Sequence, residues 1–201
     1  MNQLVLVRHG QSEYNLKNIF TGWLNPDLTE KGIQEAQETG NLLKEKNLIP
    51  EIVFTSALTR AQNTMWEILK VLKLTELPVV KNEALNERNY GDLAGKNKAE
   101  TAEKFGAEQV HIWRRSFDVR PPGGESLKDT AERCIPYFEK NILPELQKGQ
   151  DVLVVAHGNS LRSLVMHIEK LSPEEILKRE IKTGQAIVYN FGDNQLLPSG
   201  E

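Results

Sequence analysis

Two of the four histidines in this 201-residue chain occupy matching positions, each after a short apolar run and before a glycine. Leu4–Val7 leads into Arg8-His9-Gly10, and Val152–Val155 leads into Ala156-His157-Gly158. An imidazole can act as a nucleophile or carry a proton near neutral pH. Because ligands bind beyond the carboxyl ends of strands in an open α/β sheet, we expect both histidines in one site, although either alone also fits a structural imidazole.

The residue types near these histidines favour phosphoryl chemistry over a metal site. A zinc site needs a third ligand at recognisable spacing, and the chain has neither an H-E-x-x-H motif nor paired cysteines, so we expect no metal. Phosphoryl transfer needs a nucleophile, an acid for the leaving oxygen, and cations for the phosphoryl oxygens. Arg8 and Arg60 are the candidate cations, although Arg60 also fits a solvated helix position.

Short apolar runs alternate with segments of helical period, which predicts βα units around a mostly parallel sheet. The predicted strands are Leu4–Val7, Ile52–Thr55, Val152–Ala156 and Ala186–Phe191, with Leu77–Lys81 as an edge strand because it contains Pro78. Two helices are predicted to pack on this sheet, because small and apolar residues recur on one face of each. The first begins after Thr29, its predicted N-cap, and buries Ile33, Ala36, Gly40 and Leu43. The second buries Leu58, Ala61, Met65, Ile68 and Leu72.

Capping patterns indicate two further helix starts, Ser126 with Asp129 and Ser172 with Glu175. Pro136 predicts a kink in the helix that begins after Ser126. Residues 82–125 are polar and irregular, with a breaker cluster at Pro121–Gly124. We interpret them as an irregular or helical subdomain inserted beside the sheet of a single domain, residues 1–201.

Composition excludes several classes of protein. The net charge of −3 gives no bulk positive field for nucleic acid or an anionic membrane, so any anionic ligand needs a local cationic cluster. No apolar run approaches the roughly 18 residues that span a bilayer. A single cysteine, Cys134, and the lack of a basic leader pattern predict a cytoplasmic protein.

The motifs around these residues resemble those of the cofactor-dependent phosphoglycerate mutases, a family of the histidine phosphatase superfamily. Arg8-His9-Gly10 and His157-Gly158-Asn159 are superfamily features. The segments that are more specific to the mutases are Phe20–Trp23, Thr55–Ala61, Leu85–Gly91, Trp113–Asp118 and Pro121–Leu127. The resemblance runs across nearly the whole chain and implies a three-layer α/β sandwich with a mostly parallel central sheet flanked by helices.

The same resemblance implies an isomerase of glycolysis and gluconeogenesis that interconverts 3-phosphoglycerate and 2-phosphoglycerate. It assigns His9 as the phosphoryl carrier, 2,3-bisphosphoglycerate as the priming cofactor, and no metal. It assigns Glu87 as the acid/base, with Arg8, Arg60 and His157 stabilising the transferring phosphoryl group. It assigns substrate binding to Ser12, Asn15, Thr21, Gly22, Tyr90, Lys98, Arg114, Arg115, Gly158 and Asn159.

Several expectations go with these assignments. A general acid must hold a proton near neutral pH, so we expect an apolar or anionic setting for Glu87; without the family, a surface ion pair with Arg88 would be preferred. Arg114-Arg115 could equally be a solvated charge pair. We expect packing roles for Trp23, Trp66 and Trp113, and surface or helix-face positions for His111 and His167.

The chain departs from the family pattern in three places. Gln11 stands where the family more often has Glu. The stretch between Asp118 and Pro121 lacks an insertion of about two dozen residues found in longer mutases, and the tail after Phe191 is short. A less covered phosphohistidine would lose phosphate to water, which predicts side phosphatase activity.

Two alternative functions and the oligomeric state stay open. A phosphatase of the same superfamily would share His9 and His157 but usually lack the set Tyr90, Lys98, Arg114 and Arg115. A non-catalytic phosphate-binding module would be expected to have lost His9 or Glu87. We expect no nucleic-acid or membrane partner, and a homo-oligomer remains open.

Overall fold

A six-stranded sheet forms the centre of the computed structural model, which describes residues 1–200. The strands are β1 (Asn2–Arg8), β2 (Ile52–Thr55), β3 (Val79–Lys81), β4 (Val152–Ala156), β5 (Ala186–Gly192) and β6 (Gln195–Pro198). Their order is β3-β2-β4-β1-β5-β6. The first four strands pair in parallel, whereas β5 is antiparallel to both β1 and β6. The predicted mostly parallel sheet is therefore confirmed.

Helices cover both faces of this sheet. They are α1 (Glu13–Leu16), α2 (Glu30–Glu45), α3 (Thr59–Leu72), α4 (Lys98–Phe105), α5 (Ala107–Arg115), α6 (Leu127–Tyr137), α7 (Leu143–Gln147), α8 (Gly158–Glu169) and α9 (Pro173–Lys178). Short 3₁₀ turns span Glu83–Leu85 and Gly91–Leu93, and a π-helical segment spans Phe138–Ile142. Within residues 1–200, none of the helices combines the length and the apolar character needed to cross a membrane.

The alternation of side chains along β1 and β4 divides the core into two layers. Leu4 and Leu6 of β1 face α6 and α8, together with Val154 of β4. Val5 and Val7 face the opposite side, where they pack with residues of α2 and α3. Both faces of the central strands are buried, as in other parallel sheets, so the open positions lie at the strand ends.

The predicted helix starts are confirmed by their caps. Thr29 accepts a hydrogen bond from the Gly32 N–H, and capping boxes join Ser126 to Asp129 and Ser172 to Glu175. Pro136 lies inside α6, which continues to Tyr137 and is followed directly by the π-helical segment. The kink at Pro136 stays a prediction.

Two details of the predicted elements are wrong. Ile33 is 36% exposed, and Gly32 instead lies on the buried face of α2. The backbone of Gln11 approaches Gly32 too closely for any side chain to fit there. A Cβ at Gly10 would lie 2.2 Å from the Gly32 carbonyl oxygen. The second detail is β6, a strand that is absent from the predicted set and forms where the short tail turns back after β5.

Residues 82–125 contain the two 3₁₀ turns, α4 and α5. A third apolar cluster holds this segment together with the loop after α1, through Phe20, Leu93 and Val110. The segment therefore packs over the carboxyl end of the sheet with its own small core. Its description as a subdomain inserted into a single domain stays a prediction.

Candidate active site

The register of β1 against β4 brings the two histidines together. Arg8 pairs with Ala156 in the parallel ladder, so His9 and His157 each follow directly at the ends of adjacent strands. Their rings lie edge to face with centroids 5.0 Å apart, and both side chains are buried. The shared location expected from the matching sequence positions is thus observed.

One tautomer of His9 is fixed by its neighbour. The Nδ1 atom lies 2.6 Å from the carbonyl oxygen of Gly10, which can only accept a hydrogen bond, so Nδ1 carries the proton. Burial, followed by the charges of Arg60 and Arg8, lowers the pKa of His9 well below its usual 6.5, against the opposing effect of the Gly10 bond. The ring is therefore neutral near pH 7, with Nε2 unprotonated and nucleophilic.

His157 is held through its Nε2 atom, which lies 2.8 Å from the hydroxyl oxygen of Ser56. Its Nδ1 atom is buried and makes no hydrogen bond with the described residues. Burial, followed by the charge of Arg60, lowers the pKa of His157 well below its usual value. A buried ring nitrogen without a partner is costly, so this atom is available to a ligand.

Two arginines flank the histidine pair, and neither forms an ion pair with a carboxylate of residues 1–200. Arg60 donates from Nη1 to the Leu24 carbonyl and from Nη2 to the Gly22 carbonyl, both at 2.9 Å. Burial is the main reason that its pKa falls to about 10. Arg8 donates from Nη1 to the Ile181 carbonyl at 2.6 Å, while its Nε is buried and unpaired within residues 1–200. The resulting positive charge suits a phosphoryl group.

Glu87 is nearly buried, with 9% of its surface exposed. Its Oε1 atom accepts hydrogen bonds from the backbone N–H groups of Arg88, at 2.8 Å, and Asn159, at 3.1 Å. The expected apolar or anionic setting is wrong, because Arg8 of β1 and Lys98 of α4 line the same cavity and the charge of Arg60 of α3 also acts on Glu87. Nor do Glu87 and Arg88 form the surface ion pair of the alternative interpretation, since the Arg88 guanidinium turns away to the Glu125 carbonyl.

A cavity of about 140 Å³ opens above this cluster. Eleven predicted site residues lie on its wall, namely Arg8, Asn15, Thr21, Gly22, Glu87, Tyr90, Lys98, Arg114, Arg115, Gly158 and Asn159. His9, Arg60 and His157 lie beneath the wall, almost or fully buried. Ser12 does not line the cavity: it is fully buried and caps α1, where its hydroxyl accepts the Asn15 N–H at 3.1 Å.

The cavity wall is strongly cationic. Six basic side chains line it, Arg8, Lys98, Arg114, Arg115, Arg162 and Arg179, against the two carboxylates of Glu87 and Glu180. Within residues 1–200, only Arg179 of these six forms an ion pair, with Glu169. Burial, followed by repulsion from Arg114, lowers the pKa of Lys98 to about 8. Arg114, which is half-buried, and Arg115, which is exposed, both line this cavity.

Arg162 was missed by the sequence reasoning, although it lies one helical turn after Asn159. It is 6% exposed and donates from Nη1 to the Asn159 side-chain oxygen at 3.2 Å and from Nη2 to the Ile176 carbonyl at 2.9 Å. Its Nε is buried without a partner among the described residues. The Asn-x-x-Arg spacing was the available signal, because residues three apart share one helix face.

Three other expectations can be compared with the structure. Trp23 does more than pack, since its indole N–H donates to the Glu87 carbonyl at 2.7 Å. Gln11 lies off the cavity wall, where its side-chain oxygen accepts a hydrogen bond from Thr29. Trp66 and Trp113 pack as expected, His111 is exposed, and His167 lies on α8 beside Glu139.

No group of three or more His, Cys, Asp or Glu side chains among residues 1–200 is arranged to hold a metal ion. The lone thiol, Cys134, is buried and donates to the Ala84 carbonyl.

Comparison with known proteins decides the family. Residues 4–197 match the histidine phosphatase superfamily, branch 1. A relative from Parvibaculum lavamentivorans, named 2,3-bisphosphoglycerate-dependent phosphoglycerate mutase, is 59% identical over 96% of this chain and 91% of its own. A relative of the same name from Bradyrhizobium sp. is 61% identical over 94% of this chain and 91% of its own. The chain belongs to this mutase family.

The fold agrees with this membership in the mutases. The solved structure of the alpha-ribazole phosphatase from Shigella flexneri superposes with a TM-score of 0.83 at 25% identity, over 98% of this chain and 94% of the other. The family resemblance and the flanked, mostly parallel sheet predicted from the sequence are both confirmed. Because this scaffold also carries a phosphatase, the residues of the cavity wall, and not the fold, determine which molecule accepts the phosphoryl group.

Proposed function

We propose that this chain interconverts 3-phosphoglycerate and 2-phosphoglycerate by passing a phosphoryl group through Nε2 of His9. The observation that carries the proposal is a neutral, buried imidazole of fixed tautomer beneath a cavity walled by cations. A single tautomer presents the same nitrogen to every substrate, and no proton has to leave before attack. Lone Cys134, reduced and buried, is consistent with the cytoplasm as the site of this reaction.

The cavity wall fits 2,3-bisphosphoglycerate as the priming cofactor, because its phosphates and carboxylate match the excess of unpaired basic side chains. When bound, this molecule supplies the phosphoryl group that charges His9. Arg114, Arg115 and Lys98 then hold the distal anionic groups, and Tyr90, Asn15 and the Thr21-Gly22 backbone complete the wall. Arg162 joins this set through its unpaired Nε.

Donors set in place before the reaction stabilise the transferring group. Because Ser56 Oγ already accepts the Leu58 N–H at 3.1 Å, its own proton is directed at Nε2 of His157, and the proton of this neutral ring is then on Nδ1 for a phosphoryl oxygen. The unpaired Nε of Arg8 and the charge of Arg60 act on the same group. Such preorganised donors need no rearrangement as charge redistributes in the loose transition state.

Glu87 acts as the acid and the base toward the reacting hydroxyl groups of the substrate. Backbone N–H groups engage Oε1, and they leave Oε2 for the substrate. The carboxyl delivers a proton to the oxygen that leaves and takes one from the oxygen that attacks. The cationic setting changes when anionic substrate fills the cavity, because the substrate charges then oppose those of Lys98 and Arg114.

The mutase is favoured over a phosphatase because Tyr90, Lys98, Arg114 and Arg115 all lie on the cavity wall. These residues hold a phosphoglycerate while it reorients, which a hydrolase does not require. The cavity is open to solvent, and β6 is not part of its wall, so we expect a slow bisphosphoglycerate phosphatase activity beside the mutase.

The test follows 3-phosphoglycerate consumption with an enolase-coupled readout, with and without trace 2,3-bisphosphoglycerate, while free phosphate is measured in parallel. We expect strong stimulation by the bisphosphate and little phosphate release. Because enolase needs magnesium, EDTA-treated samples quenched before coupling test metal independence separately. Phosphate release without isomerisation would refute the mutase in favour of the phosphatase.

A further inference from the structure

An ion pair behind the cavity holds the segment that carries Glu87. Arg133 of α6 meets Glu125 through two contacts, from Nε to Oε1 at 2.8 Å and from Nη2 to Oε2 at 2.9 Å. Both side chains are largely buried, with 21% and 22% of their surfaces exposed. Neither lines the cavity, so neither has a part in the chemistry described above.

Arg133 binds the backbone on the N-terminal side of Glu87. Its Nη1 donates to the carbonyls of Ala84, at 2.9 Å, and Asn86, at 3.0 Å, and its Nη2 donates to the carbonyl of Glu87 itself, at 2.9 Å. This stretch has only one short 3₁₀ turn, so regular secondary structure leaves these acceptors unsatisfied. One planar guanidinium satisfies all three because its donors point in fixed directions.

Glu125 binds the backbone on the C-terminal side. Its Oε2 accepts the Asn89 N–H at 2.9 Å, and its own N–H donates to the Asn89 carbonyl at 2.7 Å. Its carbonyl accepts Nε of Arg88 at 2.6 Å. The chain is therefore anchored immediately before and immediately after Glu87, by two residues that are themselves joined.

We propose that Arg133 and Glu125 are positioning residues that hold the Glu87 carboxyl at the cavity. The inference rests on the proposed acid/base role of Glu87. Proton transfer requires the carboxyl oxygen within hydrogen-bond reach of the reacting hydroxyl, and a displacement of about 1 Å from a distant substitution can cost about 100-fold in rate. Substrate affinity depends on the basic residues of the wall, which the pair does not touch, so binding is spared.

The test is a double-mutant comparison. Arg133→Gln is made in the native enzyme and in the Glu87→Gln variant, and kcat and KM for 3-phosphoglycerate are measured after priming with 2,3-bisphosphoglycerate. We expect Arg133→Gln to lower kcat about 10- to 100-fold in the native background with KM within about threefold. In the Glu87→Gln background we expect a further loss below about threefold, because the group being positioned is already gone.

Two further variants sharpen the comparison. Arg120→Gln is the matched control, since its ion pair with Asp129 at 2.6 Å is solvent-exposed and contacts none of residues 84–89; both backgrounds should keep their activity. Arg133→Lys keeps the charge but cannot reach three carbonyls at once, so it should lose activity as Arg133→Gln does. Full activity of Arg133→Lys would overturn the proposal.

Failure of the inference is distinguishable from failure of the proposed function. If the native enzyme does not isomerise 3-phosphoglycerate, or Glu87→Gln is fully active, the function or the Glu87 assignment is refuted. If both hold but Arg133→Gln costs the same factor in the two backgrounds, only the positioning role is refuted. Should Arg133→Gln fail to fold, Glu125→Gln in the same two backgrounds decides the question by the same criterion.

Discussion

Substrate affinity should fall as the pH rises, through one lysine of the cavity wall. Burial and the repulsion of Arg114 lower the pKa of Lys98 to about 8 in the ligand-free site. A bound phosphoglycerate brings negative charge to the ammonium group, which favours the protonated form and raises the pKa back toward its usual value. Protonated Lys98 therefore binds the substrate, and the neutral amine does not.

The magnitude follows from the lowered pKa of Lys98. The protonated fraction of Lys98 in the free enzyme falls from about 0.9 at pH 7 to about 0.1 at pH 9, so the dissociation constant should rise about tenfold. Binding should also take up about 0.5 proton at pH 8 and about 0.9 at pH 9. Substrate phosphate, with a second pKa near 6, is already dianionic across most of this range.

Calorimetric titration of unphosphorylated enzyme with 3-phosphoglycerate, in buffers of different ionisation enthalpy, measures both quantities without turnover. Lys98→Arg should bind with little dependence on pH, because a guanidinium stays charged. Lys96→Gln, an exposed neighbour off the cavity wall, should keep the native pH dependence. Equal affinity at pH 7 and pH 9 in the native enzyme, or the same fall in Lys98→Arg, would refute the reasoning.

Three other predictions concern the histidine site. His9→Ala should abolish isomerisation in the coupled assay because the phosphoryl carrier is removed, while the variant still unfolds cooperatively on heating; ordinary activity would show that the carrier is wrongly assigned. Glu87→Gln should slow kcat by about 10²- to 10⁴-fold, measured in the coupled assay, and a smaller loss would argue against general acid/base catalysis. Gly10→Ala should lower the free energy of unfolding by about 1–3 kcal/mol in urea titrations, because its Cβ would meet the Gly32 carbonyl oxygen at 2.2 Å, whereas Gly192→Ala, with only ordinary contacts, should change it less. Equal losses for the two glycines would contradict this close-approach argument.

The parts of the site that sequence could predict are those set by local pattern. Two buried strands that each end in His-Gly are visible as apolar runs, and parallel pairing of β1 with β4 then brings His9 and His157 together. The wall residues followed from motifs shared with the mutases. Thr29 and Ser126 were predictable as caps because a hydroxyl and its N–H partner are only three residues apart.

The parts that sequence could not predict depend on contacts between distant segments. The neighbours of Glu87 along the chain do not show that Arg8, Arg60 and Lys98 converge on it from three elements, so its setting was wrongly expected to be apolar or anionic. Arg133 and Arg162 read as ordinary polar helix positions until the loops that pack against α6 and α8 are known.

The strand β6 is a different kind of omission, because a local signal was present. Asp193 and Asn194 both adopt positive φ, at 49° and 58°, which is the backbone of a two-residue hairpin turn. Asp and Asn tolerate this region better than other non-glycine residues. The Asp-Asn pair after a strand was therefore a usable indication that the chain turns back.

The most direct test of the account is the location of the phosphoryl group. Enzyme is incubated with 2,3-bisphosphoglycerate, quenched under alkaline conditions that preserve phosphohistidine, and mapped by peptide mass spectrometry. The account predicts one phosphoryl group per chain on His9, which is discharged when 3-phosphoglycerate is added. An enzyme that isomerises at its full rate with no phosphoryl group on His9, or with the group on His157 instead, would contradict it.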